Sequence, residues 1–431
     1  MNIKNRFIFL STVMISMHLN ALDTYTVDDL ILTSLKNSPD LKISQLRYNA
    51  STKRYDAAFS NYLPKVDLVG SAGKLLQSEV FTLPSIDDTL ITGKLSLKQL
   101  IYDFGKTSGS TDSQKFTAKS YNMNNAQQIS NKIRDVKKAY YNILKAKALI
   151  DVHKENVLLN KAQLYRSKRY FEAGIRTKID VSDAEVTVIK AKLELKKAQY
   201  NLKLAYANLD QVVGFTDVEQ TYKVYSAKLD LNNLYSSLIE YEFNLKEAIL
   251  YAYEHRYKLK KEEEKIKASK AKIDVASSGY LPSLYLNADY HYQKANDYQF
   301  SIPKNRWTTN INLNWNLYQG GYTKATKQES IINLNISNSR LLDTKLLIKK
   351  STTNAYLNLN KTKDTIKLDQ SLVKVSNEKF DQASKRYEHG LSDYIELQEA
   401  RQGYIDSKAT LVVDYYNYYI AIANLDNAIG K

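Results

Sequence analysis

Residues 100–110 read LIYDFGKTSGS, and two chemistries are written in that stretch. Asp103-Phe104-Gly105 is the triplet that positions magnesium in protein kinases, and Gly105-Lys106-Thr107 is the tail of a phosphate-binding loop. The phosphate loop also needs a glycine five residues before Gly105, where Leu100 stands. The kinase triplet needs an HRD-type catalytic loop, and the chain has none. His153, His255, His291 and His389 are scattered one at a time, which argues against a metal centre. Cysteine is absent, so a thiolate nucleophile, a Cys-based metal site and a disulfide framework are all excluded. The expectation is a protein with no catalytic site and no cofactor.

An internal duplication explains the stretch better. GIRTKIDVSDAEVT begins at Gly174 and GLSDYIELQEARQG at Gly390, an offset of 216. The same offset pairs ANLDQVVG with ANLDNAIG, and LSLKQLIYDFGK with INLNWNLYQGGY. Upstream, NYLPKVDLVGSA matches GYLPSLYLNADY at an offset of 218. In the second copy Tyr318-Gln319-Gly320-Gly321 stands where the first has Tyr102-Asp103-Phe104-Gly105. The Tyr and one Gly recur, whereas Asp103 and Lys106 do not. The shared feature is a turn from strand into helix, centred on Gly105 in one copy and on Gly320 and Gly321 in the other.

The elements around these turns follow from two periodicities. Ile143, Ile150, Val157, Leu164 and Phe171 recur every seven residues, as do Leu359, Ile366, Val373, Phe380 and Tyr387. Leu411, Tyr415, Tyr418, Ile422, Leu425 and Ile429 alternate by four and three, and Leu195, Leu202, Tyr206, Leu209 and Val213 give the same seam in copy one. This is coiled-coil patterning. A helix from about 107 to 171 would be roughly 95 Å long. Gly174 and Gly390 mark the tips of two long helical hairpins. The middle of each copy has period two instead. Leu284, Leu286, Ala288, Tyr290 and Tyr292 oppose Asn287, Asp289 and His291; Ile311, Leu313, Trp315 and Leu317 oppose Asn312, Asn314 and Asn316. Val66, Leu68, Ala72, Leu95 and Leu97 oppose Asp67, Ser71, Ser96 and Lys98 in copy one. Strands of about ten residues, apolar on one face and polar on the other, suit a membrane barrel with a wet lumen.

The chain has 431 residues, with five prolines and 13 glycines, so breakers are few and long helices expected. All five prolines lie outside the long helices, at 39, 64, 84, 282 and 303. Tyrosine occurs 34 times, an amphipathic ring suited to interfaces. The net charge of +16 could signal nucleic acid, but the lysines are spread along helices among glutamates, which argues against it. Residues 1–21 read as a secretory signal: Lys4 and Arg6, an apolar run too short to span a bilayer, then Ala21. No later segment is a transmembrane helix by sequence, so membrane residence requires a β-barrel. Four strands cannot enclose a lumen, so several chains must pool theirs; three would give twelve.

Together these parts resemble the TolC family of outer-membrane efflux proteins. The likeness rests on LIYDFGKT and NLYQGGYT, on YLPK and YLPS, and on YFEAGIRTKIDVSDAE and RYEHGLSDYIELQEAR, and it covers residues from about 22 to 430. It implies an α+β membrane protein: a homotrimer whose twelve-stranded transmembrane β-barrel continues into a long α-helical coiled-coil tunnel in the periplasm. The division by repeat is 22–214, with a β-hairpin at about 62–102, and 246–431, with a β-hairpin at about 280–318. Residues 215–245 would link them as part of an equatorial belt. The resemblance implies the exit duct of a tripartite efflux or type I secretion system. Its partners would be a periplasmic adaptor (membrane fusion) protein, an inner-membrane pump or ABC exporter, and outer-membrane lipid, with no nucleic acid. It implies a periplasmic constriction ringed by Glu396 and Glu399, where aspartates are common, and contacts through Asp180 and Tyr387 that hold it shut. A basic residue often found two beyond the second glycine is replaced by Ser392. Leu286, Leu313 and Trp315 would face lipid. The alternative is a secreted coiled-coil adhesin or envelope scaffold without a pore; two apolar-faced hairpins interrupting the heptads argue against it.

Overall fold

The computed structural model describes residues 24–77, 86–217, 222–226, 229–231, 233–294 and 304–431. The expected signal segment, Pro84 and Pro303 lie outside them. In chain order the elements are β1 (Thr24–Tyr25), α1 (Val27–Asn37), α2 (Pro39–Phe59), β2 (Lys65–Gln77), β3 (Ile86–Tyr102), α3 (Lys106–Glu172) and α4 (Lys178–Val213). Then follow β4 (Lys223–Val224), α5 (Leu245–His255), α6 (Tyr257–Ser277), β5 (Ser283–Lys294), β6 (Asn305–Asn314), α7 (Tyr322–Glu388) and α8 (Tyr394–Ile429).

The duplication is repeated element by element. The helices α3 and α7 both have 67 residues, and α4 and α8 both have 36. Likewise α2 and α6 have 21 each, and α1 and α5 have 11 each. At 1.5 Å per residue α3 and α7 are each about 100 Å long. They run so far because no proline interrupts them; the one helical proline among the described residues, Pro39, occupies the first turn of α2, where its missing N–H costs nothing. Among the described residues no helix is long and apolar enough to cross a membrane.

Packing divides the chain differently from the repeats: two compact units each draw on both copies. One comprises Met1–Asn37, Val136–Ser237 and Ile366–Tyr416. Its core is built by the heptad positions, with Val136, Ile143, Leu209, Val213, Ile405 and Val412 buried together with Leu30 and Val224. Burying each such side chain contributes about 1.5–3 kcal/mol. Here β1 and β4 pair in parallel, Tyr25 opposite Val224. The Tyr222 hydroxyl donates to Asp210 at 2.6 Å and Lys147 donates to the Val224 carbonyl at 2.8 Å, fixing this short sheet to the helices.

The second unit comprises Ser38–Asp135, Leu238–Thr365 and Asn417–Lys431. It holds a four-stranded antiparallel sheet in the order β2-β3-β5-β6. Register places Val66, Leu68, Leu95, Leu97, Leu284, Leu286, Ile311 and Leu313 on one face. Lys65, Asp67, Lys98, Asn287, Asp289, Asn310 and Asn312 share the other. The apolar face is bare within the chain: Leu68 is 79% and Leu313 63% exposed. One expectation is corrected here. The strand β6 stops at Asn314, so Trp315 and Leu317 lie beyond it. The Trp315 indole N–H donates to the Tyr280 carbonyl at 3.0 Å, a bond that ties the chain down as it leaves the sheet.

Candidate functional site

Both strand-to-helix turns use two successive residues of positive φ, Phe104 (52°) with Gly105 (102°) and Gly320 (58°) with Gly321 (86°). Glycine adopts this region without penalty, whereas Phe104 does so at a steric cost. The Tyr102 ring packs edge-on against Phe104 at 4.6 Å, which holds it there. The Asp103 carboxylate accepts from the Thr107 amide (2.9 Å) and hydroxyl (2.5 Å), capping the start of α3. In copy two the Thr323 hydroxyl donates to the Gln319 side chain instead.

The two helical-hairpin tips lie in the same compact unit. After Glu172 the chain reverses through Gly174 at φ 69°, and the Ile175 amide donates to the Tyr170 carbonyl at 2.9 Å. After Glu388 it does the same through Gly390 at φ 74°, with Leu391 donating to Arg386 at 2.8 Å. These are left-handed helix ends that satisfy the last carbonyls.

The caps that restart the helices differ. Thr177 begins α4, and the Asp180 carboxylate accepts from its amide (3.1 Å) and hydroxyl (3.2 Å). At the equivalent place in copy two, Asp393 is itself the cap, accepting from the Glu396 amide at 2.9 Å. Glu396 is thereby free to reach Arg386, 3.2 Å away. Glu399 is exposed and has no ion pair among the described residues.

Tyr387 is 1% exposed, packed with Ala184, Ala383, Tyr394, Leu397 and Ala400. Burial pushes its phenol above the ordinary range. Its hydroxyl lies beside Ser167 yet completes no hydrogen bond among the described residues. Within the chain, therefore, Asp180 and Tyr387 are neighbours with no hydrogen bond between them. The polar tie across the tips comes from Arg176, which sequence reasoning passed over. Its guanidinium donates to the Ser392 carbonyl at 3.1 Å and covers the Tyr387 ring at 4.7 Å. Arg176 and Ser392 are repeat equivalents, each two residues past its turn glycine. A search of both copies for the missing basic residue would have found it. A second tie joins the Thr187 and Tyr394 hydroxyls at 2.9 Å. Arg166–Glu388 and Lys168–Glu185 add exposed pairs, each worth at most about 1 kcal/mol.

A family profile described as outer membrane efflux protein matches residues 30–215 and 249–431. The chain is 22% identical over 411 residues to a probable efflux pump outer membrane protein, TtgC, of Pseudomonas putida, covering 94% of this chain and 82% of that one. It is 23% identical over 402 residues to the outer membrane protein TolC of Vibrio cholerae, covering 92% and 88%. The fold superposes on the CmeC outer membrane channel of Campylobacter jejuni with a TM-score of 0.81 at 18% identity, over 94% of this chain and 85% of that one. The chain belongs to the outer membrane efflux protein family, and its location is the outer membrane.

Proposed function

We propose that three copies of the chain form the exit duct of a tripartite efflux or type I secretion system. The observation that carries this is the sheet: four strands, one bare apolar face, one polar face, and two edges, at β2 and β6, unpaired among the described residues. In hydrocarbon every unsatisfied backbone group costs several kcal/mol, so those edges need partners. Joining β2 of one copy to β6 of the next closes twelve strands around a polar lumen. Leu286 and Leu313 then face lipid. The duct is passive: the repeats 22–214 and 246–431 supply its barrel and tunnel walls. Residues 215–245, with the β1–β4 pairing, form a belt around the tunnel. A periplasmic adaptor and an inner-membrane pump or ABC exporter deliver the cargo. Support comes from the family and from relatives named as efflux pump components.

Mass measurement in mild detergent tests the assembly, and a monomer would end the reading. Leu313→Arg should reduce assembled protein far more than Asn312→Arg, because a lipid-facing arginine near mid-bilayer costs roughly 2–4 kcal/mol. Glu396 and Glu399 form the constriction in this reading. Three copies place acidic rings there that favour cations. Because Arg386 already offsets Glu396, Glu399→Gln should lower cation selectivity in planar bilayers more than Glu396→Gln. Unchanged selectivity in the double variant would remove both residues from the constriction.

A further inference from the structure

The polar face of the sheet carries a charge pattern that folding does not require. The row nearest the helices that crosses all four strands reads Lys65, Lys98, Asn287, Asn310. Lys65 stands directly opposite Lys98, and like charges in that position are destabilising. Two adjoining clefts open beside this row, of about 300 and about 600 Å³, and share Lys98, Asp103, Lys106 and Tyr285. Lys65 lines the first and Lys272 the second. Lys98 and Lys106 thus line both clefts, with Lys65 at one and Lys272 at the other, and none of the four has an ion pair among the described residues. Lys65 donates to the Asn61 side chain at 3.0 Å, and Lys98 sits over the Tyr285 ring at 4.4 Å. The only carboxylate lining the clefts among the described residues, Asp103, is buried and already accepts two bonds from Thr107. One row farther out stand Asp67 and Asp289, the latter held by Lys94 at 3.2 Å.

We propose that these lysines form a binding site for small soluble anions bearing carboxylate, phosphate or sulfonate groups. Set in the lumen of the duct proposed above, on which this placement rests, the site would concentrate anionic cargo where helices meet barrel. The larger cleft has the volume of a small-molecule site. Its polar side, away from the apolar face, favours soluble anions over lipid headgroups. Clustered like charge beside low-dielectric walls raises the local counter-ion concentration by tenfold or more, and salt screens the effect.

The probe is the trianionic dye pyranine, titrated by fluorescence anisotropy into the full chain in nonionic detergent at low salt. Lys65→Gln with Lys98→Gln should weaken binding about tenfold. The arginine pair should keep it, and Lys154→Gln on α3 should leave it unchanged. Where the double variant does not assemble, Lys98→Gln and Lys106→Gln singly should each weaken binding. If the glutamine variants bind the dye as tightly as Lys154→Gln, the site is wrong. In planar bilayers the double glutamine variant should also lower chloride permeability relative to potassium. Dye binding that depends on the lysines, in a protein without conductance, would uphold the site and overturn the duct. Normal channels with lysine-independent dye binding would do the reverse.

Discussion

The two hairpin tips have the same backbone and opposite side-chain economies. In the first tip the cap is Thr177, a neutral residue, so Asp180 closes a capping box and is consumed locally. In the second the cap is Asp393, already an acid, so the residue equivalent to Asp180, Glu396, is released to pair with Arg386. Phe171 of the first tip is 45% exposed, whereas its equivalent Tyr387 is 1% exposed. The first tip supplies a cation, Arg176, and the second supplies the ring and carbonyl that receive it. Duplication provided two equivalent turns; changing a few residues made one a clamp and the other the surface it grips.

Truncation should break that comparison most visibly. Tyr387→Ala is expected to cost about 3–5 kcal/mol, and Phe171→Ala under about 1 kcal/mol, because only the first opens a cavity. Thermal unfolding midpoints of the two variants compare them, and equal losses would mean that the tips are packed alike.

A second contrast lies farther along the same helices, where His153 and Asp369 are repeat equivalents. Burial lowers the His153 pKa, with Glu194 and Asp406 opposing it. Burial first, then the adjoining Asp414, raises Asp369 to about 6; Lys145 lies near Asp414. The signs differ. The raised Asp369 contributes stability that is fully present below its unfolded value of 3.8 and is lost as pH rises through about 6. The lowered His153 contributes stability present above its unfolded value of 6.5 and lost as pH falls through its folded value. Asp369→Asn should therefore stabilise by about 1–3 kcal/mol at pH 7.5, a gain that fades toward pH 4. His153→Gln should flatten the acid side instead. Melting temperatures across that range measure both, and a pH-independent gain in Asp369→Asn would contradict the assignment.

Smaller effects refine the picture. Arg176→Gln should cost about 1 kcal/mol, and much of that loss should vanish in a Tyr387→Leu background if the ring is the partner. Thr177→Ala should cost about 0.5–1 kcal/mol by loss of a cap. Asp393→Ala should cost a similar amount.

The periodicities were legible because they are local: a seven-residue apolar repeat makes one helix face, and alternation makes one strand face, whatever lies elsewhere. The long helices and the opposed faces of the sheet follow from them, whereas β2 and β3 run to 13 and 17 residues where about ten were expected. Trp315 shows the limit. The alternation extends to it, but β6 has already ended, and a hydrogen bond to Tyr280 fixes where its side chain goes. Arg176 shows it in part: comparing the two copies finds the basic residue, but nothing in GIRTK reveals the carbonyl 216 residues away that it binds.

The sequence alone determined the duplication, the two secondary-structure periods and the absence of any cysteine chemistry, because each depends on residue type and spacing. Tertiary structure decided which of two equivalent acids is free, that Lys65 and Lys98 face each other, and that Arg176 closes on Ser392. Those are distances between residues far apart in the chain, set by how the helices and strands pack rather than by local pattern.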